Sequence, residues 1–156
     1  YINREAIVIS TPIIGNTNIK TGDTIIIHHN VFRRWHNVKG VEKNSKSYFK
    51  ENTYIISEDQ IFLHNSDNNW QPLPGYCFVK PLKAVDKFNT EQEKPLQGVV
   101  KYSDGSVNVG DLVGFTPNSE YEFVIDGQKL YRVLSKFITI KYEYQGNEET
   151  YNPSWA

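Results

Sequence analysis

The amino-acid sequence predicts an all-β chain arranged as two small antiparallel β-barrels in tandem, and three observations lead there. No window of a dozen residues carries a sustained 3.6-residue apolar repeat with a cap and good helix formers, whereas short β-rich runs punctuated by Gly, Asn, Asp and Pro recur throughout. A turn-and-strand unit centred on Gly-Asp occurs twice, as Asn18 to Ile27 and as Ser106 to Phe115, at an offset of 88 residues. Downstream, Tyr54-Ile55-Ile56-Ser57-Glu58-Asp59-Gln60-Ile61 matches Tyr131-Arg132-Val133-Leu134-Ser135-Lys136-Phe137-Ile138 with the Tyr-to-Ile spacing kept at seven. A period of roughly 80 residues points to duplication of a whole small domain, since solenoid repeats are shorter.

Taken in order, the elements follow from local chemistry. Ala6-Ile7-Val8-Ile9 opens a strand over residues 5 to 10. Gly22-Asp23 makes a tight turn, because Gly tolerates positive φ and Asp bonds its own backbone, and it launches a strand over 24 to 32. Further strands are expected over 47 to 56 and 61 to 64. The polar, turn-rich Asn65-Ser66-Asp67-Asn68-Asn69 reads as the linker. In the second half Tyr76, Phe78 and Lys80 alternate with Cys77, Val79 and Pro81, a strand pattern. Strands over 97 to 102, 111 to 116, 121 to 125, 129 to 134 and 137 to 144 complete it. The predicted organisation is therefore a first barrel over 1–65, a linker over 66–71, a more complete barrel over 72–144 and a tail over 145–156.

The order of these parts resembles the GroES-type co-chaperonins. Pro72-Leu73-Pro74-Gly75-Tyr76-Cys77-Phe78-Val79-Lys80-Pro81-Leu82 is similar to the family's opening strand. Gly98-Val99-Val100 corresponds to its Gly-x-Val strand, and Val109-Gly110-Asp111-Leu112-Val113-Gly114-Phe115 to its Val-Gly-Asp strand. The first copy begins at the Gly-x-Val position, so the counterpart of its opening strand is not in the sequence. The resemblance implies a ring of subunits that caps an ATP-bound chaperonin during protein folding. It places the docking loop at about 83–95, where Val85, Phe88 and the closing Leu96 supply apolar side chains. It also implies pairing of first and last strands between neighbouring subunits, through Tyr76 and Phe78 on one and Ile138 and Ile140 on the other. The family's roof hairpin has only Tyr102 to Val107 in its place, which implies an open dome. A second reading keeps the barrel as a structural or adaptor protein, for instance a phage virion or assembly component, without chaperonin docking.

Composition narrows the partners. A formal charge of −1 and a pI near 6.5 give no global pull toward nucleic acid or anionic membrane. The single Cys77 cannot form an internal disulfide, and no apolar run approaches a membrane span. A cytoplasmic setting, bacterial or in a phage-infected host, is expected. The 13 Lys against 4 Arg, with abundant Ile, Asn and Tyr, fit an AT-rich genome, and with no Met anywhere Tyr1 is not expected to be a natural start. Oligomerisation is expected, because barrels of about 70 residues are marginal alone.

Other chemistry-bearing residues point to little. No Walker loop, Gly-x-Ser-x-Gly, dinucleotide fingerprint or His-Glu-x-x-His occurs, so neither catalysis nor a cofactor is expected. His28, His29, His36 and His64 lack zinc-site spacing, and on a strand His28 and His29 would face opposite ways, so no metal is expected. Cys77, mid-strand, reads as a structural thiol. The first copy carries about 11 extra residues after Gly-Asp. In that region, 28 to 50, six cations (Arg33, Arg34, Lys39, Lys43, Lys46, Lys50) face one anion, Glu42, among Phe32, Trp35, Tyr48 and Phe49. The favoured reading is a long hairpin with aromatics turned to the core; partner contact comes next, and single-stranded nucleic acid last.

Overall fold

Gly22 and Gly110 adopt φ of +94° and +93°, a left-handed conformation that only glycine reaches without strain, and each sits at the same corner of its own sheet. The hydrogen bonds around the two corners repeat. Gly22 N–H donates to the Val8 carbonyl (2.8 Å) and Gly110 N–H to that of Val100 (2.8 Å), while Val8 and Val100 donate back to the Asp23 and Asp111 carbonyls (2.9 Å each). The Asp side chains accept from the backbone of Lys20 (2.8 Å) and Asn108 (3.2 Å). The computed structural model that shows this describes residues 4–15, 17–84 and 93–156. The chain divides into two units, Tyr1–Leu73 and Pro74–Ala156.

In the first unit the strands are β1 (Glu5–Ile7), β2 (Thr24–Ile27), β3 (Arg34–His36), β4 (Glu42–Asn44), β5 (Tyr48–Lys50), β6 (Thr53–Tyr54), β7 (Ile61–Ser66) and β8 (Asn69–Pro72). An antiparallel sheet runs β1-β2-β7-β8, while β3–β4 and β5–β6 are separate two-stranded hairpins. Ile25, Ile26, Ile27, Phe62, Leu63 and Trp70 form its buried core. The second unit holds β9 (Tyr76–Lys83), β10 (Glu93–Tyr102), β11 (Leu112–Phe115), β12 (Glu120–Ile125), β13 (Gln128–Leu134) and β14 (Ile138–Tyr142), in one sheet ordered β12-β13-β9-β10-β11-β14. Cys77, Phe78 and Val79 are all fully buried, so β9 is covered on both faces, as befits an interior strand. Among the described residues, no helix is long and apolar enough to cross a membrane.

The repeat extends to defects. In both units the pairing slips by one residue at the same place, between Ile26 and Ile27 on β2 and between Gly114 and Phe115 on β11. A 3-10 turn precedes the partner strand in each, Glu58–Gln60 before β7 and Ser135–Phe137 before β14. The His28 N–H reaches the Gln60 carbonyl (3.0 Å) as Thr116 N–H reaches that of Phe137 (3.1 Å).

Several expectations are corrected. All-β, antiparallel architecture stands, but among the described residues neither main sheet closes on itself: β1 and β8 end one, β12 and β14 the other. The expected strand over 24–32 stops at Ile27, because the His28 ring nitrogen accepts the Asn30 N–H (3.2 Å) and turns the chain into a 3-10 segment, His29–Phe32. As a result the His28 and His29 rings stack at 4.7 Å instead of facing opposite ways. Residues 66–71 are a hairpin and not a linker. Asp67 and Asn68 take φ of +53° and +62°, the two left-handed residues of a type I′ turn, and β8 returns along β7. The tail belongs to the second unit: Lys83 N–H donates to the Glu149 carbonyl (2.7 Å), Tyr151 N–H to that of Pro81 (2.8 Å), and Pro153 is buried.

Candidate functional site

The described residues among those assigned to docking and assembly lie on three strands, β9, β10 and β14. Val85 and Phe88 lie outside the described residues. Leu96 sits where β10 skips register against β9, with φ of +58°, and it packs on the Val79, Val100, Val113, Phe115 and Val133 core instead of presenting itself for docking. Tyr76 and Phe78 lie on β9, which is hydrogen-bonded to β13 on one side and β10 on the other, so this strand has no free edge for a neighbouring subunit there. Ile138 and Ile140 are on β14, the terminal strand, and Ile140 is 49% exposed. β9 and β10 pair as far as Lys83 and Glu93.

Beside that paired base the second unit carries a cavity of about 440 Å³ walled by Leu96, Phe115, Tyr151 and Trp155. Its floor is polar. The β13 strand delivers Lys129 and Tyr131 to one side, two residues apart as strand geometry requires. The Lys129 ammonium, on a residue 8% exposed, bonds the Glu93 carboxylate, and the Tyr131 hydroxyl donates to the other Glu93 oxygen at 2.7 Å. The ammonium also lies 5.0 Å from the Tyr131 ring and 5.8 Å from that of Trp155. Burial alone would pull the Lys129 pKa down; the Glu93 carboxylate and Tyr131 outweigh it and hold it above the ordinary lysine value. Tyr131 is pushed up by burial and by the same carboxylate. An ammonium held protonated in this way is an anchor and not a nucleophile. Glu120 Oε2, also at the cavity, is buried without a hydrogen-bond partner.

Two further polar clusters are structural. Asp104 accepts from Gly75 N–H (2.9 Å), Ser135 hydroxyl (2.7 Å), and the N–H and hydroxyl of Ser106 (3.0 and 2.6 Å). Burial pushes its pKa up, but these donors prevail and bring it to about 2. Together they pin the entry to β9, the β10–β11 connection and the turn before β14. The Cys77 thiol lies against this knot, 3.3 Å from Ser135 Oγ, at 0% exposure. In the first unit Asp23 accepts the Ser66 hydroxyl (2.8 Å) and stands 3.9 Å from His64 Nδ1, which has no hydrogen-bond partner. Burial pushes the His64 imidazole below its ordinary value against the pull of Asp23. Among the described residues no group of three or more His, Cys, Asp or Glu is placed to hold a metal.

The inserted region of the first unit divides its aromatics. Phe32 and Tyr48 meet Tyr54 edge-on, at 5.0 and 5.9 Å, and are partly buried, whereas Trp35 and Phe49 are 41% and 61% exposed. Asn37 closes the β3–β4 hairpin by accepting the N–H groups of Lys39 (2.9 Å) and Val41 (3.0 Å), with Gly40 at φ +75°. This pairs Trp35 with Lys43, and the Arg33 guanidinium lies 5.2 Å over the indole. Sequence reasoning marked this region but not the cavity, whose Lys129–Glu93 contact joins residues 36 apart with no local signature. Comparison with protein-family models, curated proteins and solved structures finds no match to this chain.

Proposed function

We propose that the chain is a co-chaperonin-like protein, two GroES-like modules in tandem, that assembles into a ring and caps an ATP-bound chaperonin during protein folding. The observation that carries this reading is the repeated corner: two copies with the same left-handed glycine, the same reciprocal backbone bonds, the same slip and the same 3-10 turn, in the order of the co-chaperonin motifs. Two features support the assembly side. Among the described residues both main sheets stay open, and a terminal strand such as β14, with one edge unpaired, favours association with another chain. Lys83 and Glu93, which flank the sequence stretch carrying Val85 and Phe88, are paired across β9 and β10. Each apolar side chain buried in a chaperonin groove would contribute about 1.5 to 3 kcal/mol, and a ring multiplies such weak contacts through effective concentration.

A second reading, a structural or adaptor component that has lost chaperonin docking, is favoured by Leu96, which is committed to the core and leaves the loop only Val85 and Phe88. Native mass spectrometry of the protein alone and with a bacterial chaperonin plus ATP separates the two. A ring that joins the chaperonin only with nucleotide, and no longer does so when Val85 and Phe88 are both replaced by Ser, is the expected result. A defined oligomer that ignores the chaperonin selects the adaptor reading.

A further inference from the structure

Residues 28–54 and 116–131 fill the same place in the two repeats, between the strand after Gly-Asp and the conserved-spacing tyrosine of each copy, yet their charges are opposite. The first stretch has six cations and two anions, net +4; the second has one cation and three anions, net −2. The extra 11 residues of the first thus go with a local excess of positive charge in a chain that is −1 overall. Arg33, Arg34, Lys39, Lys43, Lys46 and Lys50 are all exposed. Arg34 meets Glu42 at 3.7 Å, and among the described residues no carboxylate stands within ion-pair distance of the four lysines. Lysines that merely keep a sheet edge soluble would not require exposed aromatics beside them. Here Trp35 and Phe49 are exposed while Phe32, Tyr48 and Tyr54 are partly buried against one another.

We propose that the hairpins β3–β4 and β5–β6 form a surface for single-stranded nucleic acid. Trp35 and Phe49 supply flat apolar platforms for unstacked bases, and cations interleaved with them meet the phosphates. The register matters: Lys43 lies directly across from Trp35 and the Arg33 guanidinium covers one face of its ring, so a base stacked on the indole's other face would have both cations beside it. Duplex bases have no free faces for such stacking, and an acidic protein surface would use the cations without the rings.

Fluorescence anisotropy of the full chain with a labelled oligo-dT of about 20 nucleotides tests this, at about 50 mM salt and upward. Binding is expected with a log–log salt slope of about −3 for four or so phosphate contacts. Trp35→Ala should weaken it about 5- to 150-fold and leave the slope unchanged, as loss of a stacking platform requires. Lys43→Glu with Lys46→Glu should flatten the slope by about 1.4. Both variants alter exposed side chains, and a thermal melt checks that they fold. Absence of binding at about 100 μM protein, equal competition by duplex DNA or polyglutamate, or indifference to Trp35→Ala would overturn the proposal.

Discussion

The two halves of this chain hold the same corner and differ in what surrounds it. Ala6 and Gly98 occupy matching positions, opposite Ile25 and Val113. A Cβ at Gly98 would lie 2.8 Å from Val79 Cγ2 and 2.9 Å from the Lys80 carbonyl, both on β9. Among the described residues β1 is the terminal strand of its sheet, with no counterpart of β9 beside it, and there Ala is accommodated. A second exchange is reciprocal: Ile26 with Asn65 in one unit corresponds to Gly114 with Tyr142 in the other, where the tyrosine ring fills the space a Cβ on Gly114 would enter, at 2.8 Å. The turn glycines are demanded by backbone conformation and recur; the strand glycines are demanded by neighbours and do not.

Substitutions can break or sharpen that contrast. The largest effect is expected for Phe78→Ala, which empties a fully buried site where the ring meets Phe123 at 5.8 Å and Tyr102 at 6.4 Å. It should cost the second unit about 3 to 5 kcal/mol. Hydrogen exchange should then show lost protection in β9 and β13 with β2 and β7 unchanged; equal loss in both units would mean that they do not fold separately. Next comes Gly98→Ala, expected to cost about 1 to 3 kcal/mol by overpacking against β9, while Ala6→Val on the open edge should change stability by about 0.5 kcal/mol or less. Urea titration of the two variants side by side gives the comparison directly.

Smaller effects follow pH. The Asp104 pKa is depressed in the folded state, so its contribution is complete above the ordinary value of 3.8 and is lost as pH falls toward about 2. Asp104→Asn should destabilise the second unit by about 1 kcal/mol at neutral pH and flatten its stability profile between about pH 4 and 2. His64 is also depressed, by burial, which favours its neutral form. Stability it helps maintain is therefore present above 6.5 and declines as pH falls below that value, Asp23 being the charge that moderates the loss. His64→Gln should remove this slope from the first unit alone, by less than about 1 kcal/mol, as read from melts at pH 7.5 and 5.5.

Much of the fold was legible because alternation and turn chemistry are local. The Gly-Asp corners, the strands of the second unit and the repeat itself could be read from residue type and spacing. The hairpin at 66–71 was misread because Asp67-Asn68 serves equally as loop composition and as a left-handed two-residue turn; the returning strand Asn69–Pro72 is too short to announce itself. The interior position of β9 had a signal, three consecutive buried-type residues at Cys77, Phe78 and Val79, which fits a strand covered on both faces better than one at a subunit edge. Leu96 had none, since nothing local asks a leucine to adopt a left-handed conformation. Sheet closure depends on whether distant terminal strands meet, which no local pattern encodes. The candidate cavity was missed for the same reason, its floor being assembled from β10, β12 and β13.

Cys77 gives the chain a built-in reporter. It is the one thiol in the sequence, it belongs to the second unit, and it is sealed at 0% exposure behind the Asp104 knot. A thiol-reactive dye added to the native protein therefore times the opening of one half and is blind to the other. Its labelling rate, compared with overall loss of β-structure, would count how often the second unit breathes without its companion.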